Sequence, residues 1–208
     1  MRLKLFFCAL LALIVALPLF AEGTSAGTFS GLKNTVVLVI RHAEKPETGR
    51  GLTADGEARA RAYVDYFKNF TVEGQASPPN YLFAAADSKE SHRPILTLEP
   101  ISHALGLPID SQFKDKQFQE LADEIESHAH GRVILICWHH GKIPQLLRAL
   151  GADPGKLLPD GKWPDGAFGT LIQLRYDAQG QLTESKRLNE NLLPDDTEKP
   201  SPALSGVR

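Results

Sequence analysis

The chain has 208 residues, which is enough for one domain with a sizeable core and few for two. Hydrophobic residues make up 42% and charged residues 23% of the sequence, proportions that are ordinary for a soluble globular protein. The net charge is -2 with both signs interspersed, which argues against the basic face of a nucleic-acid-binding protein, so we expect no nucleic-acid partner.

The first 21 residues differ from the rest of the chain. Two basic residues precede an apolar run over 5–17, and Ala21 follows as a small residue at the break. These are the parts of a secretory signal, and the run is shorter than the ~20 residues that a membrane-spanning helix needs. We expect a signal peptide over residues 1–21, cleaved after Ala21 or, as a second choice, after Ala26. An uncleaved membrane anchor is the alternative.

Export predicts a periplasmic or secreted protein that has no membrane association after the signal is cleaved. Cleavage also removes Cys8 and leaves Cys137, so the mature chain forms no intramolecular disulfide although its compartment is oxidising. Cys137 lies within an apolar run, which indicates a buried and unreactive thiol.

The remainder divides into three parts. Residues 22–34 are small and polar and predict a leader, and residues 35–190 carry the hydrophobic patterns of one folded domain. Residues 191–208 hold prolines among charges, which is typical of a disordered tail.

Within the domain, buried strands alternate with helices. Residues 35–40 form an unbroken β-branched run, typical of a strand that is buried on both faces. A helix follows over about 53–69, with Thr53 as its cap and with Ala58, Ala62, Phe67 and Phe70 facing inward. The further predicted elements are, in chain order, a strand over 81–85, helices over 93–105 and 117–129, a strand over 132–138, a helix over 144–150, a loop over 155–168, and a hairpin of strands over 169–176 and 181–187.

This alternation predicts an α/β fold with a three-layer, mostly parallel sheet that carries helices on both faces. Ligands of such sheets bind beyond the carboxyl ends of the strands. The residues that follow three of the predicted strands are therefore candidates for the site, namely Arg41 with His42, the segment 87–93, and His139 with His140.

The candidate residues are cationic. Arg41 and His42 end the first strand, and Arg93 follows the second. Adjacent cations in a partly dry site need an anion, and a guanidinium matches two oxygens of a phosphate. His139 and His140 lead into a helix N-terminus, which also favours anions. A cationic pocket with imidazoles suits phosphoryl transfer, where charge stabilisation and positioning do most of the catalysis.

Four short motifs follow one another in the chain. They are Arg41-His42-Ala43-Glu44, then Leu52-Thr53 with Gly56, then Ser91-His92-Arg93 with Thr97, and finally a His-Gly pair after a strand. Together they resemble the histidine phosphatase superfamily, which is phosphoglycerate mutase-like, over roughly residues 35–190. The usual first motif has glycine where this chain has Ala43.

The resemblance implies a phosphoglycerate mutase-like fold and a phosphohydrolase that uses no cofactor and no metal. His42 is then the nucleophile that accepts the phosphoryl group, and Arg41, Arg93 and a second histidine hold the phosphoryl oxygens. Water attacks the phosphohistidine and releases phosphate. The implied substrates are phosphomonoesters or phosphohistidine, in a small phosphorylated molecule or a phosphoprotein. Hydrolysis is favoured over mutase action, which requires larger insertions.

Two roles stay open. For the second histidine, the His-Gly pairing favours His140, which we prefer, while the spacing from the following helix favours His139. For the general acid, the resemblance places a carboxylate some way after Arg93, where Asp115 is the nearest candidate. Glu44 is an alternative acid, and the other carboxylates considered are Asp87 and Glu120.

Two other functions are alternatives to the phosphohydrolase. The first is a phosphate-ligand binding protein that kept the pocket and lost turnover, since the acid is the least certain residue. The second is a metal-binding protein built on the histidines. It is disfavoured because His128 and His130 have no third ligand nearby in the sequence, and we expect no metal site.

Overall fold

The computed structural model describes residues 31–196 of the chain. Its strands are β1 (Val36–Arg41), β2 (Thr71–Val72), β3 (Gln75–Ala76), β4 (Tyr81–Ala84), β5 (Ile109–Asp110), β6 (Val133–Trp138), β7 (Thr170–Tyr176) and β8 (Leu182–Asn189). Its helices are α1 (Ala54–Lys68), α2 (Arg93–Leu105), α3 (Phe118–Ser127), α4 (Ile143–Ala149) and α5 (Pro154–Leu157).

Six strands form one sheet in the order β5-β4-β6-β1-β7-β8, and β2 pairs with β3 as a separate small hairpin. The strands β5, β4, β6 and β1 run parallel, and β7 is antiparallel to both of its neighbours. The predicted mostly parallel sheet and the C-terminal hairpin are both confirmed.

Helices cover both faces of this sheet. Side chains of β1 alternate between the faces, so Val37 and Val39 enter one hydrophobic cluster while Leu38 and Ile40 enter another. The first cluster holds buried residues of α3 and α4, and the second holds buried residues of α1 and α2. The three-layer α/β fold predicted from the sequence is therefore confirmed.

Helix α1 begins at the predicted cap, because the Thr53 hydroxyl accepts a hydrogen bond from the Gly56 N–H. Its buried face agrees with the prediction only in part. Phe67 and Phe70 are buried as predicted, whereas Ala58 and Ala62 are only half-buried and Arg59, Ala60 and Tyr63 are buried instead. A buried arginine does not fit a hydrophobic period, so the sequence pattern placed the inward face of the first turns about one residue away.

The predicted loop over 155–168 contains a short helix, α5, at its start. Asp153 caps this helix by accepting from the Gly155 N–H at 2.9 Å, and Pro154 takes the first helical position. The strands β2, β3 and β5 were not predicted, since each has two residues and is too short to carry a hydrophobic period.

The folded domain extends beyond the predicted boundary at residue 190. Residues 191–196 belong to it because Asp196 accepts two hydrogen bonds from Arg59, at 2.6 and 2.8 Å, and lies in a 3-10 turn. The predicted signal peptide over 1–21, most of the leader and residues 197–208 lie outside the described residues. Between residues 31 and 196, no helix is long and apolar enough to cross a membrane.

The carboxyl groups of Glu44, Glu190 and Asp196 lie around the buried guanidinium of Arg59, beneath the loop that follows His42. Arg59 donates to both oxygens of Glu44 and to both oxygens of Asp196. Glu190 is also buried, and it accepts a hydrogen bond from the Tyr63 hydroxyl while its second oxygen has no partner in the described part of the chain. Burial raises the pKa of Glu190 to about 8, so this carboxyl is mostly protonated at neutral pH.

We expect the variant Glu190→Gln to be progressively more stable than the wild type as the pH rises. A carboxyl whose pKa is raised on folding contributes stability below its unfolded pKa of 4.5, and that stability is lost as the pH approaches 8. Glutamine does not ionise, so the advantage of the variant should grow between pH 5 and pH 8 by about 1–4 kcal/mol. Urea unfolding at a series of pH values measures it.

The control is Glu120→Gln, an exposed carboxylate on α3, which should leave the pH dependence of stability as in the wild type. A difference between Glu190→Gln and the wild type that stays constant from pH 5 to pH 8 contradicts the prediction.

Candidate active site

The carboxyl ends of β1 and β6 lie side by side. The two strands are parallel, with Arg41 opposite Trp138, so His42 and His139 emerge next to each other. The main-chain N–H of His42 donates to the carbonyl of Trp138 at 3.0 Å, which extends the pairing by one residue. The ring centroids of His42 and His139 are 5.3 Å apart. The carboxyl ends of β1 and β6 therefore meet, as predicted from the sequence.

His42 is held in one tautomer. Its Nδ1 lies 2.7 Å from the carbonyl oxygen of Ala43, and because a carbonyl only accepts, Nδ1 carries the proton. The Nε2 atom is left with its lone pair. His42 is 2% exposed, and burial lowers its pKa to about 3, so the ring is neutral at neutral pH. The geometry gives a neutral imidazole with one nucleophilic nitrogen.

Thr97 links the His42 loop to the start of α2. Its hydroxyl accepts from the Ala43 N–H at 2.9 Å and donates to the Arg93 carbonyl at 2.8 Å. Thr97 and Ala43 are both fully buried. On the other side of the loop, a Cβ on Gly56 would lie 2.5 Å from the Glu44 carbonyl, so α1 packs against the loop only because residue 56 is glycine.

Arg41 and Arg93 are anchored in a similar way. Nη1 of Arg41 donates to the carbonyl of Asp165 at 2.5 Å, and Nη1 of Arg93 donates to the carbonyl of Gly49 at 3.1 Å. In both arginines Nε is buried and has no hydrogen-bond partner among residues 31–196. Burial lowers the pKa of Arg41 to about 10, which still leaves it charged at neutral pH. Two charged arginines therefore each keep a desolvated donor for an anion.

The two adjacent histidines after β6 differ in their contacts. His139 lines the main cleft, and its ring has no hydrogen bond within the described part of the chain. His140 uses both ring nitrogens, with Nδ1 3.3 Å from Nη2 of Arg41 and Nε2 3.1 Å from Oδ1 of Asp165. Burial is the main cause that lowers the pKa of both rings. Both ring nitrogens of His140, our preferred second histidine from the sequence, are therefore engaged, whereas those of His139 make no hydrogen bond to the described residues.

The candidate acids lie in different places. Asp115 lines the cleft, and its carboxylate opposes the lowering of the pKa of His139. Its main-chain carbonyl accepts from Nε1 of Trp138 at 3.1 Å, which fixes its segment beside β6. Asp87 is half-exposed at the rim, where it pairs with Arg50. Of the four candidates, Asp115 is the one beside the histidines.

Glu44 and Glu120 lie elsewhere. Both oxygens of Glu44 accept from Arg59, which keeps this carboxylate in the buried cluster below the loop. Glu120 is exposed on the first turn of α3. Neither residue lines the cleft, so the structure brings Arg93, Asp115, His139 and His140 together and separates the two glutamates from them.

The cleft has a volume of about 1120 Å³ and a cationic rim. Four lysines line it, and none of them has an ion pair within residues 31–196: Lys89, Lys114, Lys116 and Lys142. The volume exceeds what a phosphate group needs, and the lysines favour an anionic ligand. Across the same residues, no group of three or more His, Cys, Asp or Glu side chains is arranged to hold a metal ion.

The sequence analysis missed Asp165 and Phe168, which come from the segment after α5. The Phe168 ring lies under the Arg41 guanidinium, with 3.8 Å from Cζ to the ring centroid. The segment is rich in glycine and proline and carries no period, so its sequence gave no sign that these residues reach Arg41.

Neither a protein-family model nor a curated protein matches the chain. Solved structures are similar to it. The protein histidine phosphatase SixA complexed with tungstate is 17% identical, with a TM-score of 0.48, over 75% of this chain and 97% of that one. The mycobacterial glucosyl-3-phosphoglycerate phosphatase is 13% identical, with a TM-score of 0.47, over 76% of this chain and 98% of that one.

The phosphoglycerate mutase from Plasmodium falciparum is 16% identical, with a TM-score of 0.46, over 72% of this chain and 89% of that one.

We expect Thr97→Val to destabilise the protein and to disturb the His42 loop. Valine has nearly the shape of threonine but accepts no hydrogen bond, so the buried Ala43 N–H is left without a partner, at a cost of about 1–3 kcal/mol. Urea unfolding measures this loss. Thr97→Ser is the matched control, because it keeps the hydroxyl. Equal stability of the valine and serine variants contradicts the role given to this hydroxyl.

Proposed function

We propose that the protein is a phosphohydrolase that acts on phosphomonoesters or phosphohistidine through a covalent phosphohistidine on His42. One observation carries the proposal. The buried, neutral imidazole of His42 keeps its Nε2 lone pair and feels the charge of Arg41 and Arg93, each of which has a buried Nε donor without a partner among residues 31–196. A dianionic phosphoryl group satisfies both the unpaired donors and the uncompensated charge.

In the first step, Nε2 of His42 attacks the phosphorus atom. The bond from phosphorus to the leaving oxygen breaks, its electron pair goes to that oxygen, and Asp115 donates a proton to it. With a phosphohistidine substrate, the P–N bond breaks in the same way and the leaving imidazole takes the proton. The carbonyl of Ala43 stabilises the charge that develops on His42, because it accepts from Nδ1–H.

In the second step, water attacks the phosphohistidine. Asp115, now a carboxylate, takes a proton from this water as the P–N bond to His42 breaks. Inorganic phosphate leaves, and His42 returns to its neutral state with a free Nε2. The cycle balances without any further reactant.

We further propose that His139, and not His140, contacts the phosphoryl group together with Arg41 and Arg93. His139 lines the cleft, its ring centroid is 5.3 Å from that of His42, and its ring nitrogens are unbonded within the described residues, whereas both nitrogens of His140 are engaged. The reaction needs no metal in this proposal, because charged side chains supply the stabilisation. The lysines at the rim attract the anionic substrate.

Export remains part of the proposal, so the protein to be assayed begins after Ala21. We expect it to release phosphate from p-nitrophenyl phosphate or from a phosphohistidine peptide, with or without a chelator. His42→Ala should lower kcat by at least about 10³-fold, because the nucleophile is lost. Labelled substrate should leave an acid-labile phosphoryl group on the wild type and none on this variant.

His103→Ala is the matched control, since His103 is an exposed histidine on α2 and should not matter. Binding of phosphate without turnover on any of the substrates supports the binding protein instead of the enzyme. Activity that is abolished by the chelator overturns the metal-independent mechanism.

The role of Asp115 predicts a dependence on the leaving group. A general acid contributes about 10²–10⁴-fold when the leaving oxygen is basic. Asp115→Asn should therefore lower kcat strongly with an alkyl phosphate and less than about 10-fold with p-nitrophenyl phosphate, whose leaving group needs no proton. Steady-state kinetics on the two substrates measure it. An equal loss on both substrates contradicts the role as acid.

A further inference from the structure

His140 bridges two charged groups of opposite sign. Its Nδ1 lies 3.3 Å from Nη2 of Arg41, and its Nε2 lies 3.1 Å from Oδ1 of Asp165. A guanidinium has donors only, so Nδ1 accepts, and Nε2 then carries the proton that it donates to the carboxylate. One neutral tautomer satisfies both contacts. It is the opposite of the tautomer of His42, which is protonated at Nδ1.

The segment after α5 holds Arg41 from three sides. The carbonyl of Asp165 accepts from Nη1, the ring of Phe168 lies under the guanidinium, and the carboxylate of Asp165 acts on Nη2 through His140. Among the described residues, these contacts leave Nε of Arg41 without a partner and use one of the two hydrogens of Nη2. The N–H of Nε and one N–H of Nη2 share an edge of a guanidinium, and together they form a fork that matches two phosphoryl oxygens.

From these contacts we propose that His140 and Asp165 are positioning residues that aim the free edge of Arg41 at the phosphoryl group. The inference rests on the proposed function, since it presupposes an anion in the cleft. It gives the two adjacent histidines separate tasks, in which His139 contacts the phosphoryl group and His140 orients Arg41. A histidine with both nitrogens engaged in this way does not exchange protons with the substrate.

The main measurement is the affinity for inorganic phosphate, by calorimetry on the full mature chain. His140→Ala and Asp165→Ala should each weaken phosphate binding about 5–20-fold, because Arg41 loses its orientation while keeping its charge. Their double variant should bind no more weakly than the weaker single variant, because both changes break the same chain of contacts. In kinetics, KM should rise more than kcat falls.

Two conservative variants separate positioning from charge. Asp165→Asn keeps an oxygen that accepts from Nε2 of His140, so it should keep phosphate affinity within about 2-fold of the wild type. Asp160→Asn removes a charge from the same segment without touching His140, and should change nothing. The ¹⁵N shifts of His140 should report a proton on Nε2 in the wild type and a mixture of tautomers in Asp165→Ala.

Additive losses in the double variant overturn the proposal, and so does unchanged phosphate affinity in Asp165→Ala or a proton on Nδ1 of His140. A wild type that binds no phosphate overturns it as well. The proposed hydrolase function is contradicted separately if the wild type binds phosphate, with the expected coupling between His140 and Asp165, but turns over no substrate. If the wild type turns over substrate and the Asp165→Ala variant is unaffected, only the positioning role is contradicted.

Discussion

The site depends on the parallel pairing of β1 with β6. The register sets Arg41 opposite Trp138, so one more residue of each strand brings His42 and His139 together. A shift by one residue would turn the alternate side chains of β1 to the opposite face of the sheet. The unbroken apolar runs of both strands fix that register, because their side chains fill the two cores. Packing in the sheet thus decides which chemical groups meet.

The site also contains two buried basic side chains, Arg41 and His42, and they differ in charge. Arg41 and His42 are both 2% exposed, yet Arg41 stays charged and His42 stays neutral. Arg41 keeps its charge because its pKa, although lowered by burial, is still about 10, with the carboxylates of Asp165 and Glu44 acting to raise it. His42 has one carbonyl and cationic neighbours, so burial removes its proton. The difference leaves a charged guanidinium next to a neutral imidazole.

The sequence was sufficient for the elements and for the ends of the strands, because β-branched runs and the Thr53 cap are local signals. It was insufficient where side-chain direction decides. His139 and His140 differ by one position, and no spacing rule states which ring faces His42. The burial of Arg59 could not be predicted, because a buried cation does not fit the hydrophobic period and its partner Asp196 lies 137 residues away. Asp165 was missed because the segment after α5 has no period.

The Arg59 cluster connects the last described residues to the loop that follows His42. Glu44 stands two residues after His42, and Arg59 binds it together with Asp196. Because a chain is synthesised from its N-terminus, Glu44 and Arg59 are made well before Asp196. Until Asp196 is made, Arg59 can bind only one of these two carboxylates. The contacts that hold the loop after His42 are therefore completed by a residue synthesised much later than the loop itself.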